Sequence, residues 1–143
     1  PLQRTYWAAE IRAAALAWGV GFAGAGEIDA LGIMPATRMA MQRALAQLWP
    51  PPEHLLLDAL VLPGVHLPQT ALIKGDARSL SIAAASVLAK TARDAQMTAL
   101  DRIYPGYGFA AHKGYGTAEH IAALQRMGAT PIHRKTYAPL RNL

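Results

Sequence analysis

Two aspartates have the residue type and the positions expected of metal ligands. Asp58 ends the apolar run His54–Asp58, and Asp76 closely follows the apolar run Thr70–Ile73. Carboxylate oxygens are the ligands that hard divalent ions such as Mg²⁺ prefer, and pairs of such ions serve phosphodiester hydrolysis. On residue types alone, an ordinary loop aspartate ahead of a buried helix is the favoured interpretation of Asp76, and the choice stays open at this stage.

The segment after Asp76 predicts a long helix over residues 79–103 that carries two cations. Lys90 and Arg93 are three residues apart, so they share one exposed helical face. A stripe of alanines on another face would let the helix lie close against a sheet. A carboxylate at a strand end, followed by a helix with basic residues, is an arrangement suited to a metal ion near a phosphate.

A glycine-rich run over residues 104–117 contains a tyrosine between two glycines. Tyr115, flanked by Gly114 and Gly116, could present its ring to a sugar or a base, and such stacking contributes about 1–3 kcal/mol per base. A tyrosine buried in the core is the alternative interpretation. The basic residues of this region that could contact phosphate are His112, Lys113, Arg134 and Lys135.

The composition excludes several classes of function. The chain has 143 residues, 52% of them hydrophobic, which suits one folded domain over residues 1–143. It has no cysteine, which excludes disulfides and thiolate chemistry. No apolar run reaches the ~20 residues of a membrane helix, so we expect a cytoplasmic protein with no membrane partner. The absence of G-x-S-x-G and H-E-x-x-H motifs disfavours a serine hydrolase and a zinc protease.

Positive charge is concentrated in the second half of the chain. Residues 1–72 hold four Lys and Arg against five Asp and Glu, whereas residues 73–143 hold ten against four. A basic half on a folded domain favours a polyanionic partner, of which nucleic acid is the commonest. A solvated basic surface without a partner is the alternative.

The order of the predicted elements indicates an α/β fold. Leu2–Trp18 has helical spacing, with Trp7 and Trp18 expected to anchor the core, and Val20–Ala23 is a short apolar run typical of a buried strand. A helix from about Pro35 precedes the two strands that end in aspartate. Adjacent strands of an α/β sheet bring their carboxyl ends to one edge, where such folds place their sites.

Three motifs in order then give the chain a family resemblance. KGD followed by SIAAASVLAKTARD, then YPGYGFAAHKGYGTAEH, then TPIHRKTYAP closely resemble the type 2 ribonucleases H, specifically bacterial ribonuclease HII. The resemblance extends through EIDALGIMPATRMAM to the opening helix. It implies a ribonuclease H-like three-layer fold, a central mixed sheet with helices on both faces. The chain would be truncated at its N-terminal side, so that only part of the sheet is present: one short strand and the two aspartate-bearing strands.

The resemblance also implies roles for individual residues. The third and fourth of four acidic metal ligands match Asp58 and Asp76, which would bind Mg²⁺ or Mn²⁺ in a two-metal site. The tyrosine that stacks at the RNA–DNA junction matches Tyr115, and the basic helix positions match Lys90 and Arg93. Lys113 and Arg134 are added as phosphate contacts on residue type.

The sequence also departs from the family pattern. The D-E-A-G-R-G motif that carries the first two acids is absent, as is a D-S-K motif expected just before Pro1. We therefore expect that an upstream segment of the domain is missing. Ala59 stands where the family has glycine after the third acid, which would strain the turn if this position requires a positive φ.

The resemblance thus implies a metal-dependent endonuclease whose partners are RNA–DNA hybrids and duplex DNA with embedded ribonucleotides, and we expect it to be a monomer. It would hydrolyse the RNA strand of hybrids and incise 5′ of single ribonucleotides, leaving 3′-hydroxyl and 5′-phosphate ends. The alternative is a non-catalytic, basic nucleic-acid-binding remnant, because two of the four acids are absent.

Overall fold

The computed structural model describes residues 2–138 and 140–142, which form helices and one small sheet. The helices of this described part are α1 (Leu2–Ala14), α2 (Ala25–Leu31), α3 (Ile33–Leu45), α4 (Leu80–Ile103), α5 (Phe109–His112) and α6 (Ala118–Met127), with 3₁₀ turns at Gly75–Ala77 and Leu140–Asn142. The strands are β1 (Leu55–Asp58) and β2 (Gln69–Leu72). None of the described helices is both long enough and apolar enough to span a lipid bilayer.

The chain divides into two compact units. The first unit comprises the chain up to Phe22 together with Arg38–Thr91, and it contains the sheet. The second unit comprises Ala23–Thr37 together with the chain from Ala92 onward, and it contains the glycine-rich run, α5 and α6. Each candidate residue can therefore be assigned to one unit.

The sheet of the first unit joins the two strands that lead to the aspartates. β1 and β2 run parallel, with Leu55 paired to Gln69 and Asp58 paired to Leu72. Leu55 and Leu57 point into the core while Leu56 is 42% exposed, which is the period-two alternation of a half-buried strand. Residues packed against this core are Met41, Leu45, Leu60, Val65 and Leu67. The predicted side-by-side arrangement of the two strands is confirmed.

The predicted strand at Val20–Ala23 is wrong, because helix α3 and the turn that follows it satisfy the backbone of this segment. Gln47 accepts from the Val20 N–H at 3.4 Å and donates to the Val20 carbonyl at 3.0 Å. Arg43 donates to the Phe22 carbonyl at 2.7 Å. A β-carbon on Gly21 would lie 1.8 Å from the Ala40 carbonyl oxygen, so only glycine permits this approach. The segment runs along a helix and pairs with no strand of the described residues.

The opening helix is shorter and less buried than its sequence predicts. Helix α1 ends at Ala14 rather than Trp18. The prediction that Trp7 and Trp18 anchor the core is wrong, since Trp7 is 55% and Trp18 45% exposed. The Arg12 guanidinium lies 5.0 Å from the Trp18 ring centroid, so a cation covers part of this ring.

The core of the second unit is aromatic. Phe109 is 1% exposed and stacks on Tyr107, with ring centroids 5.4 Å apart. Helix α6 begins after Thr117, whose hydroxyl accepts from the His120 N–H at 3.3 Å, and it ends where Gly128 adopts φ 76°. The helix thereby buries His120, Ala123 and Leu124.

Candidate active site

Asp58 is the last residue of β1, and Asp76 lies in the turn after β2. Because the two strands are parallel and paired, both aspartates lie at the carboxyl edge of the sheet. The Gly75 N–H donates to Asp58 Oδ1 at 2.9 Å, which joins the end of β1 to the 3₁₀ turn that carries Asp76. Both aspartates are exposed. One acid is thus held by the residue that precedes the other. The two strand ends lie at one edge of the sheet, as predicted from adjacent strands.

The backbone around these acids is tightly constrained. A β-carbon on Gly75 would lie 2.6 Å from Ile82 Cδ1 and 3.4 Å from Asp58 Oδ1, so the turn needs glycine to approach β1 and α4. Ala59, directly after Asp58, has φ 56°, and Lys74 has φ 54°. Ala59 therefore has the positive φ at which strain was expected, since the left-handed conformation costs an L-residue about 1–2 kcal/mol.

The donor chemistry of Asp58 and Asp76 fits a hard divalent ion, although the donor set is small. Both offer carboxylate oxygens, the ligands that Mg²⁺ and Mn²⁺ take. In the described part of the chain, no group of three or more histidine, aspartate or glutamate side chains could hold a metal ion. Two carboxylates are fewer ligands than such an ion takes, so the remainder of its coordination would have to come from other groups.

The second unit contains a cleft of about 540 Å³ with basic and aromatic walls. Four of the predicted contact residues line it: Arg93, Lys113, Tyr115 and Arg134. Tyr115 is 74% exposed, which excludes the buried-core alternative for this ring. The structure thus gathers the nucleic-acid-binding candidates of the second unit around one opening.

The cations are held by neutral groups. Lys113 Nζ donates to Thr98 Oγ1 at 3.1 Å, and the Arg134 guanidinium lies 4.2 Å from the Tyr137 ring centroid. Lys90 belongs to the first unit, where its Nζ donates to Ser86 Oγ at 2.8 Å. Since none of these contacts neutralises the cation, the positive charge of all three remains available to an anion.

Three histidines form a cluster that the sequence analysis missed. His112 stacks on His120 with ring centroids 4.3 Å apart and an interplanar angle of 14°. His120 Nε2 lies 3.1 Å from His133 Nε2, and His120 Nδ1 lies 2.9 Å from the Tyr115 carbonyl oxygen. Burial lowers the pKa of His120 and of His133, so both imidazoles are held neutral.

Asp29 has a structural role that the sequence analysis missed. Its Oδ2 accepts from the Lys135 N–H at 2.8 Å, and its Oδ1 accepts from the Thr136 N–H at 3.0 Å and from Thr136 Oγ1 at 2.6 Å. These hydrogen bonds, led by that of the Thr136 hydroxyl, lower the pKa of Asp29. The carboxylate therefore clamps the main chain directly after Arg134.

Comparison with known proteins identifies the family. The family model described as Ribonuclease HII matches residues 2–139. The chain belongs to the ribonuclease HII family. It is 55% identical over 143 residues to the ribonuclease HII of Geobacillus kaustophilus, covering all of this chain and 55% of that protein. It is 56% identical over 143 residues to that of a Synechococcus strain, covering all of this chain and 64% of the relative.

Membership of the ribonuclease HII family confirms the resemblance and the α/β fold class, here with a small parallel sheet. A third relative, from Roseiflexus castenholzii, is 55% identical over 98% of this chain and 62% of its own length. The chain thus spans about half to two thirds of these curated relatives. The roles of the individual site residues stay predictions.

A local signal for two of the missed histidines exists in the sequence. Both occur as the last residue of a T-x-x-H segment, Thr117–His120 and Thr130–His133. In each segment the threonine and the histidine bond to one another, through Thr117 Oγ1 in the first and through the Thr130 N–H in the second. The pattern indicates a fixed histidine, but it does not indicate that the two imidazoles meet.

Proposed function

We propose that the chain carries part of the active site of a divalent-metal-dependent ribonuclease H of type 2. Its substrates would be the RNA strand of RNA–DNA hybrids and duplex DNA with a single embedded ribonucleotide, cut 5′ of the ribonucleotide to leave 3′-hydroxyl and 5′-phosphate ends. The observation that carries the proposal is the Gly75–Asp58 hydrogen bond at the edge where both aspartates lie. Family membership supports the nuclease class and does not favour the non-catalytic remnant.

Asp58 and Asp76 would hold the metal ions in this mechanism. Divalent ions bound there supply an activated water and stabilise the negative charge that develops on the phosphate. The contribution of the chain itself is to fix the carboxylates. The Gly75 N–H occupies one lone pair of Asp58 Oδ1 and so orients the carboxylate, while the remaining lone pairs of both acids face solvent.

The cleft of the second unit would bind the nucleic-acid backbone and one sugar or base. Arg93, Lys113 and Arg134 are its cations, and each would replace a counterion of one phosphate. The exposed Tyr115 ring offers a flat face for stacking. Lys90 is proposed as a further phosphate contact from the first unit.

Cleavage of a defined duplex tests the proposal. The chain is incubated with Mn²⁺ or Mg²⁺ and a duplex DNA that carries one ribonucleotide, and the product ends are mapped. Asp76→Asn and Asp58→Asn should each abolish incision. Glu53→Gln is the matched control, because it removes one carboxylate beside the opposite end of β1, and it should cut like the parent.

Metal binding provides a measurement that does not depend on turnover. Mn²⁺ should broaden the amide resonances of Gly75 and Asp76 in the parent and in Glu53→Gln, and this broadening should be lost in Asp58→Asn. Salt-sensitive binding to the duplex, with neither incision nor Mn²⁺ broadening, would instead establish the non-catalytic remnant.

A further inference from the structure

The most connected group of side chains outside the carboxylate edge is the histidine cluster of the second unit. His120 is 6% and His133 7% exposed, and each ring nitrogen of the two has a partner within 3.1 Å. Buried imidazoles with every nitrogen bonded have defined donors and acceptors. The direction of each hydrogen bond can therefore be worked out from the backbone groups at the two ends.

The chain of hydrogen bonds has one consistent direction. The Thr130 N–H donates to His133 Nδ1 at 3.0 Å, so this nitrogen carries no proton. A neutral His133 then bears its proton on Nε2 and donates it to His120 Nε2, 3.1 Å away. His120 must in turn carry its proton on Nδ1, which donates to the Tyr115 carbonyl at 2.9 Å. Both rings are neutral, and their tautomers are opposite.

The third imidazole holds the residue before Tyr115. The Gly114 N–H donates to His112 Nδ1 at 3.1 Å, so the proton of a neutral His112 lies on Nε2, which is 2.7 Å from the Tyr107 carbonyl oxygen. The Tyr115 N–H donates to the His112 carbonyl at 2.9 Å. The main chain of Tyr115 is thus fixed on both sides while its ring extends into solvent.

We propose that His120 and His133 are positioning residues, a neutral pair that fixes the carbonyl of Tyr115 and so holds the tyrosine ring where nucleic acid would stack on it. The proposal rests on the proposed function in so far as Tyr115 contacts the substrate. The pair does not touch the substrate itself. Its effect passes through one hydrogen bond, from His120 Nδ1 to the Tyr115 carbonyl.

The first test concerns the chain alone, without nucleic acid. Long-range ¹⁵N–¹H spectra at pH 7.5 should show His120 protonated on Nδ1 and His133 on Nε2. His120→Phe keeps the stacking on His112 but removes the donor, so amide exchange of Tyr115 and Thr117 should quicken by about threefold to tenfold, the loss of one neutral hydrogen bond. His120→Asn restores an N–H donor and should return exchange towards the parent rate.

The second test measures binding of a duplex DNA with one ribonucleotide by fluorescence anisotropy. Tyr115→Ala should weaken binding by between about fivefold and a hundredfold, the range of one stacking contact. His120→Phe should weaken it to a similar or smaller extent, and His120→Phe combined with Tyr115→Ala should bind no worse than Tyr115→Ala alone. His133→Phe tests the histidine that does not itself contact Tyr115, and it should weaken duplex binding about as much as His120→Phe. His133→Gln retains a donor to His120 and should bind the duplex more tightly than His133→Phe.

The two tests separate the failure of the pair from the failure of the proposed function. Protonation of His120 on Nε2 and His133 on Nδ1, the reverse of the expected tautomers, would overturn the positioning role whatever the binding data. Parent-like exchange in His120→Phe would do the same. Additive losses in the double variant would overturn it as well. If exchange responds as expected but Tyr115→Ala binds like the parent, the pair does position the tyrosine, and the stacking role of Tyr115 is the part that fails.

Discussion

The Gly75 N–H donates to Asp58 Oδ1 at 2.9 Å, and it thereby ties the last residue of β1 to the turn that carries Asp76. Parallel pairing brings the two strand ends to one edge, and this bond then fixes one carboxylate relative to the other turn. The geometry of the two acids therefore depends on a residue that is itself neither an acid nor a ligand.

Replacing Gly75 with alanine should destabilise the chain and loosen Asp58. The added methyl group would lie 2.6 Å from Ile82 Cδ1, a buried side chain with little room to move. We expect a loss of about 1–3 kcal/mol in the free energy of unfolding, the usual cost of overpacking, and weaker Mn²⁺ broadening at residue 76. Gly26→Ala is the control, because nothing lies within 4 Å of its added methyl. Urea unfolding that leaves Gly75→Ala as stable as Gly26→Ala would refute the close approach.

Replacing Ala59 with glycine should stabilise the chain. Ala59 has φ 56°, in the left-handed region that glycine enters without steric cost. Relief of about 1–2 kcal/mol of strain, set against about 0.4–1 kcal/mol of added unfolded-state entropy, leaves a gain of roughly 0.5–1 kcal/mol. In urea unfolding, exposed Ala89→Gly in α4 should instead lose about 1 kcal/mol. A loss of stability in Ala59→Gly would show that the turn is not strained.

The elements that the sequence predicted correctly are those specified by residues close together in the chain. β1, β2 and α4 have boundaries within one residue of expectation, because their alternating or alanine-rich patterns are local. Val20–Ala23 has the same apolar composition as a strand, yet its backbone is satisfied by Gln47, 27 residues from Val20. No pattern within residues 20–23 indicates that the segment bonds to α3 and the turn after it rather than to a strand.

The residues of the candidate site also differ in whether the sequence alone could reveal them. Asp58 and Asp76 could be selected because each lies at the end of an apolar run or closely after it, and Tyr115 could be selected through its flanking glycines. The resemblance then gave these residues roles. The histidine pair could not be selected, because its central hydrogen bond joins residues 13 positions apart through the packing of α6 against the following turn. The Asp29 clamp spans 106 residues and was equally out of reach.

Removing cations from the cleft should reduce the salt dependence of binding. Arg93 and Arg134 line the cleft, and each phosphate contact contributes about one unit to the slope of log K against log salt concentration. Arg93→Ala and Arg134→Ala should each lower the slope by about that amount for duplex DNA. Arg126→Ala, whose guanidinium contacts the Gly106 carbonyl and lies outside the cleft lining, is the control. A slope unchanged by both cleft variants would place the nucleic acid elsewhere.

Stability should fall as pH is lowered through the histidine range. Burial lowers the pKa values of His120 and His133 from the ordinary histidine value of 6.5, so the unfolded chain binds protons that the folded chain does not. The charge of the neighbouring imidazoles disfavours protonation as well: His112, stacked on His120, lowers the pKa of both histidines, and His120 lowers that of His133. The contribution of the two neutral histidines to the free energy of unfolding is complete above about pH 7. It is lost progressively as the pH falls from 6.5 to the lowered folded-state pKa values.

Urea unfolding at a series of pH values between 8 and 5 measures this loss. His133→Phe should flatten the dependence, because one of the two groups that take up protons on unfolding is gone. His66→Gln, at an exposed histidine of the first unit, should keep the slope of the parent. If the double variant His120→Phe with His133→Phe kept the parent's slope of unfolding free energy against pH, other groups would be responsible for the pH dependence.

The clamp formed by Asp29 should act in a different range of pH. Its hydrogen bonds to Thr136 and Lys135 lower its pKa from the ordinary aspartate value of 3.8. The clamp is therefore complete above that pH and is lost only as pH falls through the lowered folded-state pKa. It therefore stays intact while the histidine pair titrates. At pH 7, Asp29→Asn should speed amide exchange at residues 135 and 136 on the order of tenfold, because an amide group cannot accept on both sides.

Thr136→Val provides the graded comparison for Asp29→Asn, since it removes only the hydroxyl bond and leaves both main-chain donors on the carboxylate. Exchange at residue 135 should then stay close to that of the parent. Because the clamp lies directly after Arg134, Asp29→Asn should also weaken duplex binding, and Thr136→Val should do so less. Equal exchange in all three proteins would mean that the segment is held without the carboxylate.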